Sequence, residues 1–429
     1  MLEVNNIEVG TMQTNLSGVS AHDPAIFYDE DSATYYVFGT HFALASSPDL
    51  VHWTQLARDG EAEVLYGTRN FRSVLKESAR LMGGNQNTWA PDVIKHGGKY
   101  YMYYTLTSAF GSNRSVIGRV EADSVTGPYS GEKVLAVSEG NFGEPNCIDA
   151  NLFYDRDGRL WMVYGSYFAG IFIKELFHDG EHFGLPMEDG FGKLLWRGNM
   201  KEGPEGPYVF YNAETDYYYL TVSYGNLARN YNMRVARSKR PDGPYVDITG
   251  ADMASILYGG NRLAGNYQFA GDAVGYAAMG HNSVLKKDGN FFCVCHTRYR
   301  KGAADVTGLH HVRVSRLFFN EDGWPLLSPA CYAGESAPAA AADDVAGQYD
   351  VIVHVTTTDS AVVFAQSSVY RFTADGKILE RGSWSFQEGY VTLNLSGTEY
   401  RGVAAIENGT LVISATSNAG GALWARKKI

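Results

Sequence analysis

Apolar and polar positions alternate in paired short runs at five places along the chain. The runs are DPAIFYDEDSATYYVF from Asp23, APDVIKHGGKYYMYY from Ala90, DANLFYDRDGRLWMVY from Asp149, EGPYVFYNAETDYYYLTV from Glu205 and HNSVLKKDGNFFCV from His281. Alternation on both sides of a polar turn bearing Gly or Asp is the pattern of an antiparallel hairpin with one buried face. Five related hairpins predict a five-bladed β-propeller. Helical periodicity is scarce throughout, so the expected fold class is all-β.

Blade material runs from about Val19 to Leu327, where the chain returns near its start to close the ring. The segment AGESAPAAAADD, Ala333 to Asp344, breaks the pattern with small residues, a proline and acids, and reads as a linker or wrapping strap. Beyond it, QYDVIVHV, SSVYRFTADGKILERGSWSF, GYVTLNL, EYRGVAAIENGTLVISAT and GALWARK alternate between turn signals such as Asp375-Gly376 and Asn408-Gly409. The expected organisation is a propeller over 1–332, a linker over 333–344 and a small C-terminal β-barrel over 345–429.

The register of the repeats points to chemistry. Superposing the apolar pairs Ile26-Phe27, Leu152-Phe153, Tyr208-Val209 and Val284-Leu285 makes Asp23, Asp149, Glu205 and His281 the leading residues. Equivalent positions on inner strands converge on the central channel of a propeller, so three carboxylates and an imidazole are expected at one end of one cavity. The second repeat has Ala90 there, with Asp92 two residues on and on the same strand face. An Asp before Pro at a strand start is, alone, usually a turn residue. Its coincidence with Asp149 and Glu205 in one register is what gives Asp23 a chemical reading. KEGPEGPY offers a rival Glu202, but only Glu205 keeps this register, and Glu202 falls in the loop feeding the strand.

Composition narrows the partners. With 29 Tyr, 21 Phe, 7 Trp and 48 Gly, the chain favours turn-rich β structure and aromatic surfaces able to stack on sugar rings. A net charge of −11 argues against nucleic acid, which needs a basic face. No apolar run is long enough to cross a bilayer, and MLEVNNIEVGTMQ lacks the features of a signal peptide. Cys147, Cys293, Cys295 and Cys331 form no Cys-x-x-Cys motif and are expected as unpaired core thiols. Arg298, Arg300 and Lys301 are expected on a solvated loop face.

Two carboxyls across a cavity hydrolyse a glycosidic bond when one is held protonated and the other ionised. They stand about 6.5–9.5 Å apart when a water attacks directly, against roughly 5–5.5 Å when the second carboxylate is the nucleophile. A propeller channel suits the wider spacing. A third carboxylate nearby raises the acid's pKa by like-charge repulsion.

The segments HDPAIFYD, WAPDVIKHGGKYYMYYT with FGSNRSVIG, NCIDANLFYDRDGRLWMVYGSYFAGI, EGPYVFYNAETDYYYLTVSYG and MGHNSVLKKDGNFFCVCHTRY resemble the successive motifs of glycoside hydrolase family 43. They are most similar to those of its endo-1,5-α-L-arabinanases, and the tail resembles the C-terminal β-barrel of the two-domain members. The resemblance implies Asp23 as general base, Glu205 as general acid and Asp149 as the residue that orients the acid and raises its pKa. It implies Trp89, Asp92, Gly111, Asn146, Ser166, Tyr167 and Phe168 as substrate contacts, and His281 as the protein ligand of a largely hydrated calcium ion. Cys147 and Ala150 depart from the family pattern without carrying chemistry.

The expected activity is therefore inverting, endo-acting hydrolysis of α-1,5-linked arabinan or arabino-oligosaccharides, as in pectin side chains. The alternatives are an exo-acting α-L-arabinofuranosidase or β-xylosidase, and a non-catalytic carbohydrate-binding propeller. A polymer too large to enter a cell points to an extracellular enzyme; a monomer without nucleic-acid or membrane partners is expected. A cytoplasmic oligosaccharide hydrolase stays open.

Overall fold

Each of the five hairpins forms the two innermost strands of a blade. The computed structural model describes residues 18–83, 88–301, 304–305, 308–354 and 364–428. The inner strands are Ala25–Asp29, Trp89–His96, Asn151–Tyr154, Glu205–Asn212 and Gly275–Lys287. The first four blades are four-stranded antiparallel sheets running outward in chain order. The fifth carries Asn290–Lys301, His311–Phe319 and Pro325–Leu327 outside its inner strand. Ser20 bridges His311, and the N–H of Ala21 donates to the carbonyl of His310, so the chain start meets blade five and closes the ring.

Aromatic alternation explains why the blades stay apart yet packed. Tyr103, Tyr104, Tyr218 and Tyr219 are fully buried. They stand on both faces of the second strands and fill the wedges between neighbouring sheets, where flat rings contribute large apolar area. Phe38 of blade one and Met102 and Tyr104 of blade two share one such core.

Near the channel, side chains latch each inner strand to the next. Asp92 Oδ2 accepts the N–H of Leu152 at 2.7 Å, Asn151 Oδ1 that of Val209 at 2.9 Å, and Ser283 Oγ that of Ile26 at 3.0 Å. The Tyr208 hydroxyl donates to the carbonyl of Val284 at 3.0 Å. The residue two positions before the latches Asp92, Asn151 and Tyr208 lies in the left-handed region, namely Ala90 (φ 32°), Asp149 (φ 61°) and Gly206 (φ 59°), as does Asp23 (φ 53°) at the same position in blade one.

These contacts correct the sequence register in blade four. Val209-Phe210, not Tyr208-Val209, matches Ile26-Phe27, and Gly206 rather than Glu205 occupies the equivalent position. The pairing ladder shifts between Glu205 and Tyr208, where Gly206-Pro207 interrupts regular hydrogen bonding. Glu205 therefore enters from one residue earlier.

The C-terminal strands close into an eight-stranded barrel running from Gly347–His354 to Ala422–Lys427. Tyr349, Val351, Phe372, Leu393, Ile413 and Leu423 fill it. The segment before it is a strap: Ala340 N–H donates to the Ala404 carbonyl and Ile406 N–H to that of Pro338. Ile352 and Trp424 leave the barrel's own core and pack with Leu263, Tyr267 and Leu327 of the propeller. Ala365–Gln366 adds a parallel strand to Tyr267–Gln268 at the edge of the blade-five sheet.

The four cysteines are free and buried, as expected. Arg298 and Arg300 lie half-buried on a strand, not on a solvated loop, and the side chain of Lys301 is outside the described residues. Among the described residues, no helix is long and apolar enough to cross a membrane.

Candidate active site

Asp23 sits just before the inner strand of blade one, held by polar groups from several elements. Thr40 Oγ1 donates to its Oδ2 at 2.6 Å, while His22 Nε2 and His281 Nδ1 each lie 3.3 Å from Oδ1. Its own backbone N–H meets His296 Nδ1 at 3.4 Å. Burial pushes this carboxyl up, but His22, His281 and His296 together more than reverse the effect and hold it well below the usual carboxylate range.

Asp149 is 5% exposed and accepts the Gly206 N–H at 3.1 Å. Burial raises its carboxyl; His281 opposes the shift and the charge of Asp23 adds to it. Glu205, beside it, accepts from Ser166 Oγ at 2.9 Å. Burial first, then the negative charge of Asp149, pushes Glu205 up to about 8, against hydrogen bonds from Tyr231 and Ser166. His281 moves the other way from a buried imidazole: burial would lower it, but Asp23, Asp149 and Glu205 raise it to about 9. The site thus joins one carboxyl held ionised, one held protonated and a cationic imidazole beneath them.

The rival Glu202 stays in the loop before the strand. It is buried at 6% exposure, and its carbonyl accepts the N–H of Gly225.

The remaining predicted residues separate into two groups. Ser166 touches Glu205, and Tyr167 follows it with its N–H on the Pro204 carbonyl and its hydroxyl on that of Gly225. Phe168 and Tyr167 both hold left-handed backbone, φ 34° and 51°, which turns this loop toward blade four. Trp89 is half-buried and meets the exposed Phe110 edge-on at 6.1 Å, beside the open left-handed turn at Gly111. Asn146 is buried with its Oδ1 taken by Ser115 Oγ at 2.6 Å, and Asp92 accepts from Val93, Leu152 and Asn151. The oxygens of both face protein donors.

Sequence reasoning missed His22, Thr40, Tyr231 and His296. Only His22 left a signal, as the neighbour of Asp23. The ring nitrogens of His22, His296 and His310 lie within 4.8 Å of one another. His22 and His310 stack face to face at 4.0 Å, however, and an Arg298 guanidinium nitrogen lies 2.7 Å from His310 Nε2, a cation where a metal needs a lone pair.

Beside Asp23 the channel holds a cavity of about 10 Å³, room for a single water, lined by Asp92, His281, Asn282 and Ser283 among others. One imidazole among oxygen atoms is a donor set that fits a hard cation such as calcium.

Residues 15–325 match the family model for glycosyl hydrolases family 43, and residues 329–425 match that for a C-terminal lipocalin-like domain. An extracellular endo-α-(1→5)-L-arabinanase of Bacillus subtilis is 36% identical over 95% of this chain and 93% of its own length. An extracellular exo-α-(1→5)-L-arabinofuranosidase of Cellvibrio japonicus is 31% identical over 72% of this chain and 86% of its own. The crystal structure of endo-1,5-α-L-arabinanase from Thermotoga petrophila superposes with a TM-score of 0.87 at 34% identity, covering 96% of this chain and 98% of that one.

Proposed function

The chain belongs to glycosyl hydrolases family 43, and we infer that it is an endo-acting hydrolase of α-1,5-linked L-arabinan. The observation that carries the mechanism is the split in protonation between Asp23, held ionised, and Glu205, held protonated. In the proposed reaction Asp23 takes a proton from water as the water oxygen bonds the anomeric carbon. The bond from that carbon to the leaving oxygen breaks, and Glu205 gives its proton to that oxygen. One displacement by water inverts the anomeric configuration. Asp149 keeps Glu205 protonated through its charge and orients it through the shared Gly206 amide.

His281 is the residue that would hold calcium, as a neutral imidazole with its proton on the Nδ1 beside Asp23 and with water completing the shell; the ion would then supply the positive charge that the protonated ring otherwise carries beside the carboxyls. Trp89, Phe168 and Tyr167 offer ring faces to furanose units, with Gly111 leaving room and Ser166 set beside the acid. The relatives named extracellular support action outside the cell, where arabinan side chains of pectin are met.

The exo relative is the one specific observation for a second reading, cleavage from a chain end. A time course on linear 1,5-α-L-arabinan separates the two. Endo action gives an early ladder of oligosaccharides, absent with Glu205→Ala; arabinose alone from the first minutes would mean exo action. Proton NMR of the first product reports its anomeric form, and retention there would overturn the single-displacement mechanism.

A further inference from the structure

Blade two puts no titratable side chain at this position of the channel mouth, since Ala90 stands where Asp23, Asp149 and His281 stand in theirs. Its contribution is a backbone amide. The N–H of Ala90 donates to Thr40 Oγ1 at 2.8 Å, and Thr40 Oγ1 donates to Asp23 Oδ2 at 2.6 Å. A hydroxyl has one proton, and an amide N–H only donates. Because the Ala90 amide can only donate to Oγ1, the Thr40 proton points away from it and onto Asp23 Oδ2.

The fold is arranged to deliver this hydroxyl. Thr40 is buried at 5% exposure, and its own N–H donates to the carbonyl of His22 at 2.9 Å. Gly39 permits the approach, because a Cβ there would lie 2.8 Å from that same His22 oxygen. His41 and Phe42 follow with φ of 59° and 72°, left-handed backbone that costs about 1–3 kcal/mol per residue. That strain is held in place by Phe42 in the blade-one core and by the His41 N–H on the Thr88 carbonyl.

We propose that Thr40 is a positioning residue for the hydrolysis, its amide-anchored hydroxyl fixing Asp23 as an ionised acceptor whose remaining Oδ2 lone pair is aimed at the attacking water. His22 and His281 already face Oδ1. Without Thr40 the carboxylate rotates about its Cβ–Cγ bond, and Asp23 meets the water out of line.

The assignment rests on the reading of Asp23 as base, so the test carries controls for both. Thr40→Val keeps the shape and removes the hydroxyl; Thr40→Ser restores it. Each is assayed with wild type, Asp23→Asn and Glu205→Ala on linear 1,5-α-L-arabinan and on a nitrophenyl arabino-oligosaccharide, whose leaving group needs no acid. Thr40→Val is expected to lose about 10- to 100-fold in kcat on both substrates, with KM within roughly threefold of wild type. Thr40→Ser recovers most of the rate. Glu205→Ala, by contrast, loses far less on the nitrophenyl substrate than on arabinan.

A Thr40→Val enzyme within twofold of wild type, or one whose loss lies in KM, would overturn the role. So would a loss that vanishes with the nitrophenyl leaving group, which would place Thr40 with the acid. If Thr40→Val melts too low to assay, Thr40→Ser against Thr40→Cys decides, since a thiol fills the site but donates weakly; equal rates would overturn the proposal. A wild type inert on both substrates, or an active Asp23→Asn, would sink the parent reading instead.

Discussion

Asp23 and Glu205 are both buried carboxyls of one channel, and their neighbours drive them apart. Asp23 faces imidazoles; Glu205 faces Asp149. The expected kcat/KM profile is a bell whose acid limb, from protonation of Asp23, lies below the usual carboxylate range, and whose basic limb, from ionisation of Glu205, falls near 8. Asp149→Asn removes the negative charge that raises Glu205, so the basic limb should move to lower pH, and kcat should fall by about 10². Initial-rate profiles from pH 4 to 9 test this; an unmoved basic limb would separate Asp149 from the acid. Calcium belongs to the same scale. Treatment with EDTA should lower kcat on arabinan and added calcium restore it, and His281→Ala should make the enzyme insensitive to both; full activity after exhaustive chelation would remove the ion from the mechanism. Asp23, Asp149, Glu205 and His281 were legible because each leads the paired alternating runs of its hairpin, where periodicity marks the position. Thr40 and Tyr231 were not, because both come from connections between the second and third strands of a blade, and only tertiary packing brings those loops over the channel.

At the scale of strands, the ring is joined by single side chains on single amides. Asn151 is the busiest of these, since its Oδ1 takes the Val209 N–H and its Nδ2 donates to Asp92 Oδ2 at 2.9 Å. Asn151→Leu fills a similar volume but leaves the buried Val209 N–H without an acceptor and Asp92 without one donor. Such orphans cost about 1–3 kcal/mol, so the melting temperature should drop by several degrees. Calorimetry checks this, and an unchanged melting temperature would show that the latch is idle. Hairpin number, turn positions and the identity of the inner strands could all be read from alternation. The one-residue offset in blade four could not, because a bulge changes the count of residues without changing their polarity, and Gly206-Pro207 reads equally well as a strand start. Glu205 opens the inner strand of blade four, and Glu202 stays in the loop before it.

For the whole molecule, the contacts of the tail barrel say in structural terms what it does. Trp424 and Ile352 are built into a propeller core, and Ala365–Gln366 extends the blade-five sheet. Trp424→Ala should therefore destabilise the protein as a core deletion does, by about 3–5 kcal/mol, and a chain ending at residue 332 should aggregate. A soluble, active propeller alone would refute the brace. The composition break at Ala333 to Asp344 lies just ahead of the first barrel strand, Gly347–His354, but composition did not show the docking, because outward apolar residues such as Ile352 look like any alternating strand.

The interface also holds a titratable group. Glu407 of the barrel accepts from Ser328, and its Oε1 lies 3.5 Å from Arg316 Nε, both on the propeller side. Burial raises Glu407 to about 7, and Ser328 and Arg316 offset only part of that. A carboxyl whose folded-state pKa exceeds its unfolded value favours the fold at low pH and loses that contribution as pH rises through the folded value. The window here runs from the ordinary glutamate value of 4.5 to about 7. Glu407→Gln keeps a hydrogen-bonding oxygen for Ser328 and cannot ionise, so wild type should lose stability relative to it across that window, by no more than about 3 kcal/mol. Denaturant melts of both proteins at pH 4.5, 6 and 8 measure the difference. A constant gap would mean that Arg316 keeps Glu407 ionised throughout, making the contact a fixed ion pair between the domains.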